Sequence, residues 1–237
     1  MSVFADLVAN LADLLQPLFG AGAAAAAIVL FTALVRLLLH PLSRAAARGQ
    51  KARAALQPRI DELRRKHARN PEKLQRAVLE LHTEEKVSPL SGCLPSLCQL
   101  PAFFLLYHLF SSSEIGGRAN ELLSHRLFAA PLGGRWADAL GDGGMLGGAG
   151  LVYVGLFAFV AAVAAFGYRL TKRSTAARPV LPSGDGEQVP GLGAVTKVMP
   201  FMSFFTLVTV AVVPLAAALY VVTSTTWSAV ERAVLYR

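Results

Sequence analysis

Residues 22–39 read GAAAAAIVLFTALVRLLL, an eighteen-residue run in which Arg36 is the only charged side chain. A helix rises ~1.5 Å per residue, so this run approaches the ~20 residues that cross a hydrocarbon core of ~30 Å. A guanidinium in hydrocarbon costs at least about 2.5 kcal/mol, and it normally faces a protein interior or a wet cavity. The run therefore predicts a membrane-spanning helix with a functional candidate at Arg36. The alternative is that Arg36, near the end of the run, extends its long stem to the lipid headgroups.

The composition of the whole chain agrees with a membrane protein. Of its 237 residues 54% are hydrophobic and only 16% are charged, which is too apolar for an ordinary soluble domain. Further apolar runs lie at 93–110, 146–168 and 198–230. Pro214 divides the last one, because a proline inside a helix removes a backbone hydrogen bond and clashes with the preceding turn. The chain is therefore predicted to be an all-α integral membrane protein with a five-helix transmembrane bundle.

Two further elements complete the predicted fold. Apolar residues recur at steps of three and four in 1–21, which indicates an amphipathic helix at the membrane interface or against the bundle. The basic segment after the first span is predicted to be a cytoplasmic helical hairpin. In chain order the predicted segments are the amphipathic helix 1–21, TM1 22–40, the hairpin 41–92, TM2 93–112, an outer loop 113–145, TM3 146–168, a cytoplasmic loop 169–194 that we expect to be disordered, TM4 195–213, TM5 214–232 and a cytoplasmic tail 233–237.

The distribution of positive charge predicts the orientation. The chain has 23 Lys and Arg against 15 Asp and Glu; 12 of the basic residues lie in 41–92, whereas 113–145 has 3 and 1–21 has none. Basic residues accumulate in short cytoplasmic loops. The N-terminus is therefore predicted outside and the C-terminus in the cytoplasm.

The hairpin 41–92 has local signals for two packed helices. Each arm has a narrow apolar seam, Pro58 should kink or restart the first arm, and Asn70 followed by Pro71 suits a cap and first helical position. The basic residues indicate a solvated face that anionic lipids would also attract. No nucleic-acid motif accompanies the charge, so specific DNA is not expected as a partner, although contact with ribosomal RNA stays open.

The sequence offers no catalytic constellation. GxSxG, HExxH and CxxC motifs are absent, and the five His residues are scattered, so no enzyme activity, metal site or cofactor is predicted. Cys93 and Cys98 are five residues apart and would point to different sides of one helix, which favours small buried hydrophobes over metal or redox use. The polar side chains inside the spans are the remaining candidates: Thr32, Gln99 and several Ser and Thr of the last two helices. Such hydroxyls either bond their own i−4 carbonyls or line a wet pocket where helices converge.

Several of these motifs are characteristic of one family. The stretches FTALVRLLLHPLS, LQPRIDELRRKH, NPEKLQ, PLSGCLPSLCQLPAFFLLYHLF and MPFMSFFT followed by PLAAALY resemble the YidC/Oxa/Alb membrane protein insertases, in order and over almost the whole chain. The resemblance implies five helices around a groove that is open to the cytoplasm and the lipid but closed outside. It also implies that five side chains line this groove: Arg36, Thr32, Gln99, Tyr220 and Ser224.

The chain also departs from the family pattern in its last helix. Ala216 and Val221 stand where the family usually has a glycine and a tryptophan, and Thr225 and Glu231 stand in place of a common Asn and Gln. The absence of a large domain before the core resembles Gram-positive or actinobacterial members, which implies a bacterial plasma membrane.

The function that the resemblance implies is a membrane protein insertase and chaperone. Its partners would be nascent membrane proteins, with the ribosome and the Sec translocon left open. Two other classes of function are also considered: a small-solute transporter with Arg36 as an anion site, and a non-inserting assembly factor that would tolerate the loss of Arg36. No inverted repeat or pair of broken helices supports the transporter.

Overall fold

The computed structural model describes residues 2–87, 104, 106–115, 117–141, 143–176 and 199–235. Cys93, Cys98 and Gln99 lie outside these residues, so the predictions made for them are not addressed, and most of the predicted loop 169–194 also lies outside. The described chain is mostly helical, and its α-helices are α1 (Ser2–Phe19), α2 (Ala23–Ala55), α3 (Gln57–Lys66), α4 (Pro71–Glu84), α5 (Trp136–Gly141), α6 (Gly148–Ala176), α7 (Phe205–Val212) and α8 (Leu215–Leu235).

The amphipathic helix α1 folds back onto α2. Val8 and Ala12 of α1 are buried in the main apolar core, whereas large side chains such as Leu14 and Leu18 are exposed on its other face. The turn Gly20–Gly22 joins the two helices, and Gly20 has φ +52°, a left-handed conformation that glycine adopts without a Cβ penalty. This turn lets α1 pack alongside the start of α2.

The helix α2 is longer than the predicted span. It runs from Ala23 to Ala55 with Pro41 inside it, so the first part of the predicted hairpin continues the helix of the predicted span without a break. Pro41 removes one backbone donor, but the helix continues on both sides. The predicted restart at Pro58 is confirmed, because α2 ends at Ala55 and α3 begins with this proline in its first turn.

The helices α3 and α4 pack on each other through a small separate cluster. Leu56, Ile60 and Leu81 are buried at its centre, with Leu63, Val78 and Val87 against them. The Asn70 cap is confirmed, since its side-chain oxygen accepts a hydrogen bond of 3.0 Å from the Lys73 N–H. Arg59 also forms an exposed ion pair with Glu85.

The segment predicted as a plain outer loop contains short β structure that an all-α description leaves out. Antiparallel pairs join β1 (Glu114–Ile115) to β2 (Arg118–Ala119) and β3 (Arg126–Leu127) to β4 (Ala130–Pro131). Leu122, Ala130 and Leu132 of this segment are buried in the main core. The segment is therefore packed onto the helices.

The helices α6, α7 and α8 pack against one another. Within the part of the chain that the structure describes, two stretches are long and apolar enough to cross a membrane, Asp6–Ala52 and Gly148–Lys172, and Phe201–Val212 is a shorter apolar helix. The helix α6 continues to Ala176, so the first residues of the predicted loop 169–194 are helical. The helices α7 and α8 end and begin on either side of Pro214, as predicted, and α8 extends to Leu235. The description of five spans stays a prediction.

The first half of α8 lies at the centre of the fold. Every residue from Leu215 to Val222 is buried. Its first N–H groups have no partners within the helix, and the outer segment supplies them: Leu215 N donates to Gly134 O at 2.9 Å and Ala216 N donates to Leu132 O at 2.8 Å. The outer segment therefore caps the buried end of α8.

Candidate functional site

Polar side chains of α2 face polar side chains of α8 where these two helices contact each other. On α2 they recur every four residues, and on α8 they lie within three helical turns of one another, which places each set along one face of its helix. We call this set the polar seam: Thr32, Arg36 and His40 of α2 with Tyr220, Ser224 and Glu231 of α8.

Arg36 is half-buried and is hydrogen-bonded to the facing helix α8. Its Nε donates a hydrogen bond of 3.1 Å to the Ser224 hydroxyl, and a terminal nitrogen of the guanidinium donates to the same oxygen. Ser224 is buried and lies 188 residues further along the chain. This bond supports the interpretation that Arg36 faces the protein and does not extend to the lipid headgroups, because its guanidinium lies against α8.

Tyr220 extends the seam by one turn toward the capped end of α8. It is only 2% exposed, and its side chain is hydrogen-bonded to Ser224. Its ring packs at a centroid distance of 6.1 Å from Phe110, a side chain from the end of the second predicted span. Arg36, Ser224 and Tyr220 are therefore brought together, and their role in a groove stays a prediction.

Thr32 lies on the same face of α2 but has a local partner. Its hydroxyl is buried and donates a hydrogen bond of 2.7 Å to the Ile28 carbonyl, four residues earlier. Thr209, Thr223 and Thr225 also donate to i−4 carbonyls. The local alternative is therefore the one observed for these hydroxyls, and the groove role of Thr32 stays a prediction.

His40 and Glu231 were not among the predicted site residues. The Nδ1 of His40 lies 2.7 Å from Glu231 Oε1, and the Glu231 side chain is only 12% exposed. Glu231 is also within Coulombic range of Arg36. The sequence carried a weak signal for them: His40 lies one turn after Arg36, and Glu231 lies two turns after Ser224. Nothing local joins the two, because 191 residues separate them.

A cavity of about 500 Å³ lies beside the seam, between α6, the turn Met199–Phe204, α7 and α8. Thr225 and Ser228 bring α8 into its wall, one residue and one turn beyond Ser224. Apolar side chains complete much of the wall, while Arg232 lies at one end. The hydroxyl-bearing residues that line it are Thr171, Ser203, Thr206, Thr225 and Ser228. Hydroxyl-bearing residues of α6, α7 and α8 thus lie around one space, and the wet pocket stays a prediction.

Metal ligation is not supported in the described part of the chain. Among those residues no three His, Cys, Asp or Glu side chains are grouped so that they could hold a metal ion. The chemistry available at the polar seam is hydrogen bonding and charge: one guanidinium, three hydroxyls, one imidazole and one carboxylate around the α2–α8 contact.

Comparison with known proteins identifies the family. The model of the 60Kd inner membrane protein family matches residues 14–237. A membrane protein insertase YidC of Clostridium perfringens is 44% identical over 102 residues, which are 42% of this chain and 43% of that protein. Insertases of the same name from an Anaeromyxobacter species and from Chlorobium limicola are 44% and 42% identical over 87 and 86 residues, which are 37% and 36% of this chain but only 16% and 15% of those proteins. The matched parts thus cover less than half the length of these relatives. With the family model matching nearly all of the sequence, the chain belongs to the 60Kd inner membrane protein family, the family of the YidC and Oxa membrane proteins.

Proposed function

We propose that this chain is a membrane protein insertase and chaperone that works without chemical catalysis. A nascent hydrophobic segment would slide along the lipid-facing helices, while its short polar flank enters the interior between α2 and α8. The observation that carries this proposal is the hydrogen bond from half-buried Arg36 of α2 to the buried Ser224 of α8 between two apolar helices. The insertases among its relatives support the same function.

Arg36 would act by lowering the free-energy cost of moving a polar flank out of water. A polar or charged flank that leaves water without new partners loses several kcal/mol, and a charge in hydrocarbon costs at least about 2.5 kcal/mol. Arg36 bonds a neutral hydroxyl, and no carboxylate of the described residues lies within ion-pair distance of it. A carboxylate on a client flank could therefore approach the guanidinium and recover part of the lost hydration.

Two features support a groove that is open on one side only. The hydroxyl-lined cavity beside the seam has Arg232 at one end, where it would offer polar contacts to a flank that enters. At the other end, the outer segment caps α8 through Gly134 and Leu132, and the first turns of α8 are fully buried. An entering flank would find polar groups near one end and close packing near the other.

We also propose an orientation and a set of partners for this chain. The charge distribution supports an extracytoplasmic N-terminus and a cytoplasmic C-terminus in a bacterial plasma membrane. The α3–α4 hairpin would then lie in the cytoplasm, where its basic face would contact anionic lipids. Nascent membrane proteins are the proposed clients, and the ribosome and the Sec translocon are proposed as further partners on the cytoplasmic side. Gln99 is proposed as an additional groove residue on the resemblance alone.

Reconstituted vesicles provide the test. Wild type, Arg36→Lys and Arg36→Ala would be compared for protease-protected insertion of one client with an acidic outer tail and one with a neutral tail. We expect Arg36→Lys to retain much of the insertion and Arg36→Ala to lose it by about tenfold for the acidic client, which corresponds to about 1.4 kcal/mol. The matched control is Arg44→Ala, an exposed arginine two turns further along α2, which should insert both clients like wild type.

The outcomes separate the three classes of function. An anion transporter would lose flux of small anions in Arg36→Ala while showing no client insertion above protein-free vesicles. A non-inserting assembly factor would show neither activity and would tolerate Arg36→Ala. Equal insertion of both clients by wild type and Arg36→Ala would contradict the proposed role of Arg36. Photocrosslinkers at positions 32, 36 and 99, with exposed Leu38 as a control on the same helix, would show whether a stalled client contacts the seam.

A further inference from the structure

The seam carries a second fixed charge whose sign is opposite to that of Arg36. Glu231 lies on the face of α8 that contacts α2, two turns beyond Ser224. Its side chain is largely buried, so its charge is screened less by solvent than that of a surface carboxylate. Glu231 and Arg36 attract each other electrostatically, although each has a different hydrogen-bond partner.

His40 holds Glu231 in this position. The imidazole Nδ1 contacts the carboxylate at 2.7 Å, and His40 lies one turn after Arg36 on the facing helix. The carboxylate is therefore tied to α2 and cannot turn freely to solvent. The titratable groups of the described chain that face one another here are Arg36, His40, Tyr220 and Glu231.

The negative charge of Glu231 offsets the positive charge of Arg36. With histidine taken as neutral, as in the net charge of +8 for the whole chain, Arg36 contributes +1 and Glu231 contributes −1. The net charge of the polar seam is then zero, although Arg36 is a cation. An acidic flank is attracted by Arg36 and repelled by Glu231, and a basic flank experiences the reverse.

We propose that Glu231 is a specificity-determining residue, which offsets Arg36 so that the groove accepts client flanks of either charge instead of selecting acidic ones. This inference rests on the proposed insertase function and adds a determinant of client choice to it. His40 is the positioning residue for Glu231, since it acts on the client only through the carboxylate.

The test compares insertion of three clients that differ only in the charge of the outer flank: acidic, neutral or basic. The measured quantities are the acidic-to-neutral and basic-to-neutral insertion ratios in reconstituted vesicles. In Glu231→Gln, an isosteric change that leaves a net positive seam, the first ratio should rise several-fold and the second should fall. In Arg36→Ala both ratios should move the opposite way, because Glu231 is left alone. The double variant Arg36→Ala/Glu231→Gln should return both ratios toward those of wild type.

Two controls separate charge from packing. Glu85→Gln removes a carboxylate that is also ion-paired, to Arg59 of the α3–α4 pair, and it should leave both ratios at the wild-type values. Glu231→Asp keeps the charge on a shorter side chain, and it should retain the wild-type ratios even if total insertion falls. These ratios are insensitive to a uniform loss of folded protein.

The inference and the proposed function fail in different ways. If wild type inserts the clients but Glu231→Gln changes all three by the same factor, Glu231 has a packing role only and the inference is overturned. If Glu85→Gln changes the ratios as much as Glu231→Gln does, the effect belongs to the net charge of the chain, and the inference is again overturned. If wild type inserts none of the clients above protein-free vesicles, the proposed function is overturned, and this inference with it.

Discussion

The carbonyl of Gly134 accepts hydrogen bonds from both the Leu215 N–H, at 2.9 Å, and the Tyr153 hydroxyl, at 2.6 Å. One oxygen of the outer segment therefore joins the start of α8 to the side of α6. Trp136 packs against Tyr153 and Phe157 with ring centroids 5.6 and 5.2 Å apart, which covers this junction with aromatic rings. Because α8 also carries Ser224 and Glu231, this junction helps to fix the position of these two side chains along the axis of α8 relative to α6.

The close packing at the start of α6 makes the two glycines Gly150 and Gly155 respond differently to alanine. A Cβ at Gly150 would lie 2.8 Å from the Met145 carbonyl oxygen and closer still to that of Gly144, whereas a Cβ at Gly155 would meet nothing within 4 Å. We expect Gly150→Ala to destabilise the protein by about 1–3 kcal/mol, as overpacking does. Gly155→Ala should be neutral or stabilising by up to about 1 kcal/mol, because alanine is the better helix former.

Thermal unfolding of both variants in the same detergent checks this prediction. The informative quantity is the difference in midpoint between Gly150→Ala and Gly155→Ala, since the detergent affects both alike. Equal midpoints for the two variants would mean that the turn before α6 can move away from the helix at little cost.

The bond between Arg36 and Ser224 should contribute to stability as well as to function. Ser224→Ala removes the oxygen that accepts from the guanidinium, and a buried donor without a partner costs about 1–3 kcal/mol. Ser228→Ala is the matched control, because Ser228 lies one turn later and donates only to the Ser224 carbonyl of its own helix, at 3.0 Å. Urea or thermal unfolding in detergent should show a loss for Ser224→Ala that exceeds the loss for Ser228→Ala. Similar losses would show that Arg36 finds another acceptor.

Local rules predicted those features that depend on neighbouring residues. The Asn70 cap and the helix restart at Pro58 follow from backbone geometry within a few residues, and both are present in the structure. The break at Pro214 has the same origin. Pro41 shows the limit of such rules, since α2 continues through it although a proline usually ends or kinks a helix.

Features that depend on distant pairs could not be predicted in this way. The convergence of Arg36 with Ser224 and Tyr220 came from the family resemblance, because no spacing relates α2 to α8. The pair His40–Glu231 and the cap from Gly134 to Leu215 join residues far apart in the chain. Their residue types are ordinary, and only the tertiary arrangement gives them partners. The assignment of Gln99 lies outside the described residues and stays a prediction.

The packing of α3 on α4 should depend on its small apolar cluster more than on its charges. Leu81 is 8% exposed at the centre of this cluster, whereas Leu79 on the same helix is 51% exposed. Leu81→Ala removes buried methyl groups and should cost about 2 kcal/mol or more, while Leu79→Ala should stay within about 0.5 kcal/mol. Limited proteolysis of the 41–87 region measures the difference, with faster cleavage expected for Leu81→Ala. Indistinguishable cleavage of the two variants would contradict packing of the arms through this cluster.

The proposed orientation predicts opposite accessibility for two exposed positions. In a variant with Cys93 and Cys98 replaced by alanine, a cysteine at Phe128, which is 82% exposed, should react with a membrane-impermeant maleimide in intact cells. A cysteine at exposed Lys66 of α3 should react only after permeabilisation, because the basic hairpin is retained on the cytoplasmic side. Leu132→Cys serves as the internal control: Leu132 lies in the same outer segment as Phe128 but is 0% exposed, so it should stay unlabelled in both conditions. Labelling of Lys66→Cys in intact cells at the rate of Phe128→Cys would reverse the orientation of the hairpin, and with it the side from which a client flank could enter the seam.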